Sequence, residues 1–105
     1  MDTPVSAKAA LLQVLISGEG YGLDLIERVK TRTGGAVVLG PGSVYPALRE
    51  LEREGLLTSY EADPLPERGG RPRVYYRITA EGKRTALGQK TAVSGLFLLT
   101  PARAR

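Results

Sequence analysis

The chain has 105 residues without a single cysteine or histidine, which removes disulfides, thiolate metal sites, the usual general base and the commonest metal ligand together. Its hydrophobic content of 42% suits an ordinary globular domain, and no apolar run approaches the ~18 residues of a membrane span, so neither disorder nor membrane insertion is expected. The net charge of +4 is unevenly placed: residues 1–60 carry six basic and seven acidic side chains, residues 61–105 nine and four, which suggests an anionic partner met by one part of the fold. A chain of this length makes one domain with a modest core, and oligomerisation is expected to supplement it. The opening MDTPVSAKAALL has an acid at position 2 and no basic leader, so a cytoplasmic protein without a secretory signal is expected. No residue pattern calls for a cofactor or a metal.

Ser6 to Ser17 (SAKAALLQVLIS) reads as a first helix, N-capped by Ser6 after Pro4. Leu11, Leu12, Val14, Leu15 and Ile16 cover most of its girth, which places it in the middle of a domain or against a partner. Gly18-Glu19-Gly20-Tyr21-Gly22 ends it. This cluster superficially resembles a dinucleotide-binding fingerprint, but it follows a helix and lacks the G-x-G-x-x-G spacing, so a tight turn between two helices is expected. Leu23 to about Thr33 is the second helix, with Asp24 near its start and Arg28, Lys30 and Arg32 near its end, as the helix dipole favours. Gly34-Gly35 stop it, and Ala36–Leu39 is a short β-prone segment.

Gly40–Leu57 (GPGSVYPALRELEREGLL) reads as one capped, amphipathic third helix. Ser43 is the predicted N-cap, and Pro46 is expected in the first turn, where its missing N–H leaves no intrahelical bond unmade. Gly55 offers a left-handed C-cap with Leu56 beyond it. Val44, Ala47, Leu48 and Leu51 recur at helical spacing and form the core-facing stripe, while Ser43, Tyr45, Arg49, Glu50, Arg53 and Glu54 occupy the other face. Such a helix is roughly 18 Å long, enough to lie across a DNA major groove.

Leu56–Glu61 and Arg73–Thr79 read as the strands of a hairpin. In RVYYRIT, Val74, Tyr76 and Ile78 alternate with Arg73, Tyr75, Arg77 and Thr79, which predicts one buried and one open face. The loop ADPLPERGGRP is rich in proline, glycine and charge and is expected to be mobile. Three helices followed by a hairpin with a basic, glycine-rich tip is the order of a winged helix-turn-helix, an α+β fold that is mainly α. In that arrangement the third helix enters the major groove and the wing lies against the DNA backbone or the minor groove. The candidate contacts are then Ser43, Tyr45, Arg49 and Arg53 on the helix, and Arg68, Arg71, Arg73 and Tyr75 on the wing. Arg49 is the best base reader, because arginine can pair bidentately with guanine. Blander roles stay open: a surface salt bridge from Arg49 to Glu50 or Glu52, and packing of Tyr45 against the second helix.

Thr79 is placed to cap a fourth helix from Ala80 to about Ser94, with Glu81 in its first turn. Its apolar stripe is thin, and Gly95-Leu96-Phe97-Leu98-Leu99 follows as a compact apolar cluster. A small monomer rarely leaves such a cluster exposed, so Leu87, Val93, Leu96, Phe97 and Leu98 are the expected dimerisation residues. The chain thus divides into a winged-helix domain over residues 1–79 and a helical dimerisation segment over residues 80–105.

Three motifs occur in order and at matching spacing: GYGLDLI at residues 20–26, GSVYPALREL at residues 42–51 followed by Glu54-Gly55-Leu56, and GRPRVYYRIT at residues 70–79 followed by Gly82. With them the chain resembles the PadR-like transcriptional regulators over about residues 8–84. The resemblance implies a homodimeric repressor bound to a palindromic operator in double-stranded DNA, with a C-terminal helix making most of the dimer contact. Its two recognition helices would then lie about one DNA turn, roughly 34 Å, apart. The resemblance also admits a small-molecule effector of unspecified identity that changes the tilt of the dimer helix. After Leu87 the chain departs from the family pattern: GQKTAVSGLFLLTPARAR has no tryptophan, and Gly88 and Gly95 each cost a helix interior roughly 1 kcal/mol relative to alanine. The rival reading is a winged-helix protein-interaction module without specific DNA binding, which Glu50, Glu52 and Glu54 favour because they oppose a phosphate surface. No enzyme is expected, since no convincing carboxylate pair replaces the missing histidine and cysteine.

Overall fold

The Ser6 side chain accepts a hydrogen bond from the Ala9 N–H at 3.2 Å and so starts helix α1 (Ala7–Leu15), as its position predicts. The computed structural model describes residues 6–62 and 73–99, with residues 90–99 described through their backbone. Ala10, Leu11, Leu12, Val14 and Leu15 of α1 are buried. An apolar surface on several sides of one helix needs neighbours on several sides, and α1 is packed against three other helices and a strand.

Gly20–Tyr21 form a short strand, β1, and helix α2 (Gly22–Arg32) follows directly, burying Leu25 and Val29. Helix α3 (Pro41–Arg53) buries Val44, Ala47, Leu48 and Leu51 against α1 and α2. Strands β2 (Leu57–Glu61) and β3 (Val74–Ile78) come next, and helix α4 (Ala80–Leu99) closes the chain. Leu57 and Ala86 complete the core from β2 and α4. The three strands form an antiparallel sheet in the order β1-β3-β2, with Tyr21 opposite Tyr75, Leu57 opposite Ile78 and Tyr60 opposite Tyr75. Helices and hairpin together make the expected winged helix-turn-helix.

Gly55 is required at the end of α3. Its φ of +79° is a left-handed conformation, and there its N–H donates to the Glu52 carbonyl at 3.0 Å while Leu56 donates to the Leu51 carbonyl at 2.9 Å. This Schellman pattern turns the chain sharply into β2. Thr79 ties the same corner to α4: its hydroxyl donates to the Gly55 carbonyl at 2.8 Å and accepts from Gly82 N–H at 3.0 Å, capping α4 as predicted.

Six expectations need correction. Helix α3 is capped by Gly40, not Ser43, because Pro41 occupies the first helical position, where its fixed φ suits the helix and its missing N–H costs nothing. Pro46 therefore lies in the second turn and leaves the exposed Gly42 carbonyl without an intrahelical donor. The Gly20–Tyr21 segment is more than a turn, since it supplies the third strand of the sheet. Ala36–Leu39 is no strand: the Thr33 hydroxyl satisfies Val37 N–H at 3.0 Å, and the Val37 side chain is buried. In β3, Tyr76 and Ile78 pack on the core as expected, but Val74 is exposed because it pairs with Glu61 beyond the core's edge. Helix α4 also runs past Ser94 to Leu99. With no proline between residues 80 and 99, Gly88 and Gly95 weaken the hydrogen-bond ladder without breaking it.

Candidate nucleic-acid interface

Helical geometry turns each successive residue of α3 by roughly 100°. Gly42, Pro46, Arg49 and Arg53 therefore align in one ridge opposite the buried stripe, and all four are exposed. Ser43, Glu50 and Glu54 fall along one flank of that ridge, Tyr45 and Glu52 along the other. Gly42 and Pro46 are small and carry no charge, so the first turns of the helix can approach a surface closely, and the two arginines follow.

The acids on the flanks are engaged by neighbours. Lys8 of α1 reaches across with its Nζ 2.7 Å from Glu54 and 3.5 Å from Glu50. The hydrogen bond to Glu54, followed by the charge of Glu50, raises the Lys8 pKa above its ordinary value. On the other flank the Ser59 hydroxyl donates to Glu52 at 2.9 Å. Arg53 stands 4.0 Å from Glu50, at the outer limit of an ion pair. Among the described residues Arg49 makes no ion pair and no hydrogen bond, so the salt bridge to Glu50 or Glu52 does not form. The Ser43 hydroxyl, not used as a cap, points from an exposed position.

Tyr45 takes the packed alternative. Its ring lies over Gly22, where an added Cβ would run into the phenolic end, so glycine at the start of α2 leaves the ring room to lie there. Tyr45 and Tyr76 are both packed against the core, and burial raises the Tyr76 pKa.

The outer face of the sheet carries a tyrosine ladder set by strand register. Tyr75 of the central strand meets Tyr21 edge-on at 5.5 Å between ring centroids and stacks with Tyr60 at 5.7 Å. Arg73 caps one end, 4.1 Å over the Tyr21 ring and 3.3 Å from the Tyr75 hydroxyl, and Arg77 caps the other, 5.1 Å over Tyr60. Glu19 accepts from Arg77 Nε at 3.0 Å and from the Tyr60 hydroxyl. The Tyr60 hydroxyl, then Arg77, lowers the Glu19 pKa, and Glu19 in turn raises that of Tyr60. Tyr75 lies on the predicted face but is half-covered by its two neighbours. Arg28 holds the turn that presents Glu19, donating to the Gly18 carbonyl at 2.8 Å, to the Glu19 carbonyl, and to Asp24 at 2.8 Å.

Lys8, Glu19, Tyr21, Tyr60 and Arg77 went unread as parts of this surface in the sequence. The alternation that put Tyr75 on the open face also put Arg77 there, and was the one available signal; the partners of Lys8 and Glu19 are distant in the chain. Arg68 and Arg71 lie outside the described residues. Leu87 is 55% exposed on α4, and the side chains of Val93, Leu96, Phe97 and Leu98 lie outside the description. A cavity of about 180 Å³ opens between α1 and α2, lined by Ala10, Val14, Val29 and Val37 with Gln13, Arg32 and Thr33. No described helix is long and apolar enough to cross a membrane, and no group of described side chains is arranged to hold a metal.

The model of the PadR-like family of transcriptional regulators matches residues 11–87. The chain belongs to this family. Solved structures agree with that membership. A transcriptional regulator from Clostridium thermocellum is 30% identical with a TM-score of 0.71, over 87% of this chain and 84% of that one. The smu.1704 protein of Streptococcus mutans is 26% identical with a TM-score of 0.74, over 93% and 88%. Bacillus subtilis PadR in complex with operator DNA is 26% identical with a TM-score of 0.69, over 78% of this chain and 45% of that one. No curated protein matches the chain closely enough to count as a relative. The protein is thus a PadR-family transcriptional regulator.

Proposed function

We propose that this PadR-family regulator is a cytoplasmic, homodimeric repressor that reads a palindromic operator in double-stranded DNA through α3. The observation that carries the reading is the outward ridge Gly42–Pro46–Arg49–Arg53, in which Arg49 has no partner among the described residues while the neighbouring glutamates do. Arg49 then pairs with a guanine edge, Ser43 and Arg53 hold flanking phosphates, and Arg68, Arg71 and Arg73 of the wing neutralise the backbone. Tyr45 and Tyr75 set the positions of α3 and the wing from behind. The solved complex of Bacillus subtilis PadR with operator DNA supports this use of the fold.

Dimerisation through α4 supplies the symmetry. Leu87, Val93, Leu96, Phe97 and Leu98 bury against a second copy, and the Thr79 junction transmits the tilt of α4 to the end of α3. An effector that changed this tilt would alter the spacing of the two recognition helices and release the operator.

Selection from a pool of random duplexes, at low and moderate salt, tests the proposal. Enrichment of a two-fold symmetric motif, with affinity lowered about tenfold or more by Arg49→Ala, is expected. A single unsymmetrical half-site would overturn the dimeric reading, and salt-labile binding without any motif would overturn sequence reading by α3.

A further inference from the structure

A recognition helix with glutamates at positions 50, 52 and 54 is an unpromising surface to bring against phosphates. Of these, Glu50 and Glu54 belong to the flank of α3 that faces α1, and the cation that α1 brings to them is Lys8. Lys8 is no core residue and caps nothing. It is the second residue of α1, its charge drawn to the side of a different helix 46 residues away in the chain.

We infer that Lys8 is a positioning residue for DNA binding: it draws Glu50 and Glu54 away from the nucleic-acid side of α3 and leaves Arg53 available for phosphate. The inference rests on the reading of α3 as the recognition helix. The geometry sets up a competition for Glu50, whose carboxylate lies 3.5 Å from Lys8 and 4.0 Å from Arg53. Glu50 and Arg53 are three residues apart on one helix, a spacing at which opposite charges pair readily. Without Lys8, Glu50 turns to Arg53 and neutralises it, while Glu54 is left as a solvated carboxylate beside the ridge. Both changes act against a polyanion. All four side chains are partly exposed, so each effect is modest alone and the DNA, with its closely spaced charges, reads their sum.

The expected pattern is specific because it is not additive. If Lys8 merely contributed positive charge or touched a phosphate itself, Lys8→Met would weaken binding by the same factor whatever stood at positions 50 and 54. If it holds the glutamates, its removal matters while they are carboxylates and matters little once they are amides.

The experiment is a fluorescence-polarisation titration of the full chain against a labelled random-sequence duplex about two helical turns long, at low and moderate salt. Four proteins are compared: wild type, Lys8→Met, Glu50→Gln/Glu54→Gln, and the triple variant, each checked for native helix content by circular dichroism. Lys8→Met is expected to bind about fivefold more weakly than wild type at low salt, with the gap narrowing as salt rises. In the amide background the same substitution is expected to cost less than about half that factor. Unchanged binding by Lys8→Met overturns the inference. An equal loss in both backgrounds also overturns it, by making Lys8 a direct or general electrostatic contributor. Absence of binding by wild type at low salt would instead remove the DNA reading of α3, on which the inference stands.

Discussion

Leu48 touches nothing but protein. It is fully buried on α3, between α1 and the sheet-bearing end of the domain, and shares that status with Leu11, Leu12, Leu15, Leu25, Leu51 and Leu57. Among the described residues the core rests on these few large aliphatic side chains, so the loss of one is felt. Leu48→Ala is therefore expected to cost about 2–5 kcal/mol, read as a shift in the midpoint of urea unfolding at unchanged slope. Arg49, the next residue, is the opposite case: its replacement should leave the midpoint where it is and change DNA affinity alone. Adjacent positions with opposite phenotypes are what an amphipathic helix predicts, and this division was legible in the sequence. The spacing of Val44, Ala47, Leu48 and Leu51 assigned the buried face, and Gly55 marked the end. What the spacing did not show was which charges meet. The partners of Lys8 and Glu19 come from other elements, and only the assembled fold brings them within reach.

At the scale of elements, the wing is anchored by more than its own hairpin. Glu19, in the turn between α1 and β1, bonds to Tyr60 of β2 and Arg77 of β3, so one carboxylate fastens the sheet to the helical layer. Those bonds favour its charged form and hold its pKa below the ordinary value of 4.5. A carboxyl group whose folded pKa is depressed adds stability above its unfolded pKa and loses it as pH falls through the folded value. Wild type should thus melt at a higher temperature than Glu19→Gln near neutral pH, and the difference should shrink as pH falls below 4.5. A difference independent of pH in thermal scans would show that the charge of Glu19 is irrelevant to the anchor. The elements themselves were mostly readable from composition and period, with instructive failures. Two prolines near the start of α3 suggested Ser43 and Pro46 as the boundary, whereas Pro41 sits at the position that suits proline best. Strand β1 is two residues long, too short for any period to reveal.

For the whole molecule, the proposed dimer rests on the outer side of α4. Ala86 of α4 is fully buried against the domain, whereas Leu87, one residue on, is 55% exposed. On the proposed dimer, Leu87→Asp should move the protein from dimer towards monomer in light scattering, and weaken binding to a symmetric site far more than to a half-site. A variant that stayed dimeric would place the contact elsewhere on α4. That α4 is one element was only partly legible, because Gly88 and Gly95 argue locally against a helix that the surrounding residues still sustain.

The pairing of β1 with β3 also bears on the order in which the protein is made. Gly20 and Tyr21 find their partners in Tyr76 and Tyr75, more than fifty residues later. As the chain leaves the ribosome, the segments of α1, α2 and α3 all emerge before the strand that completes the sheet. The main-chain groups of β1 must wait, bonded to water, until β3 has been made. When β3 arrives it satisfies both of its neighbours, sets the tyrosine ladder and brings in Arg73 and Arg77 with the same stroke. The sheet face that carries the tyrosine ladder is thus finished only after the first three helices have been made.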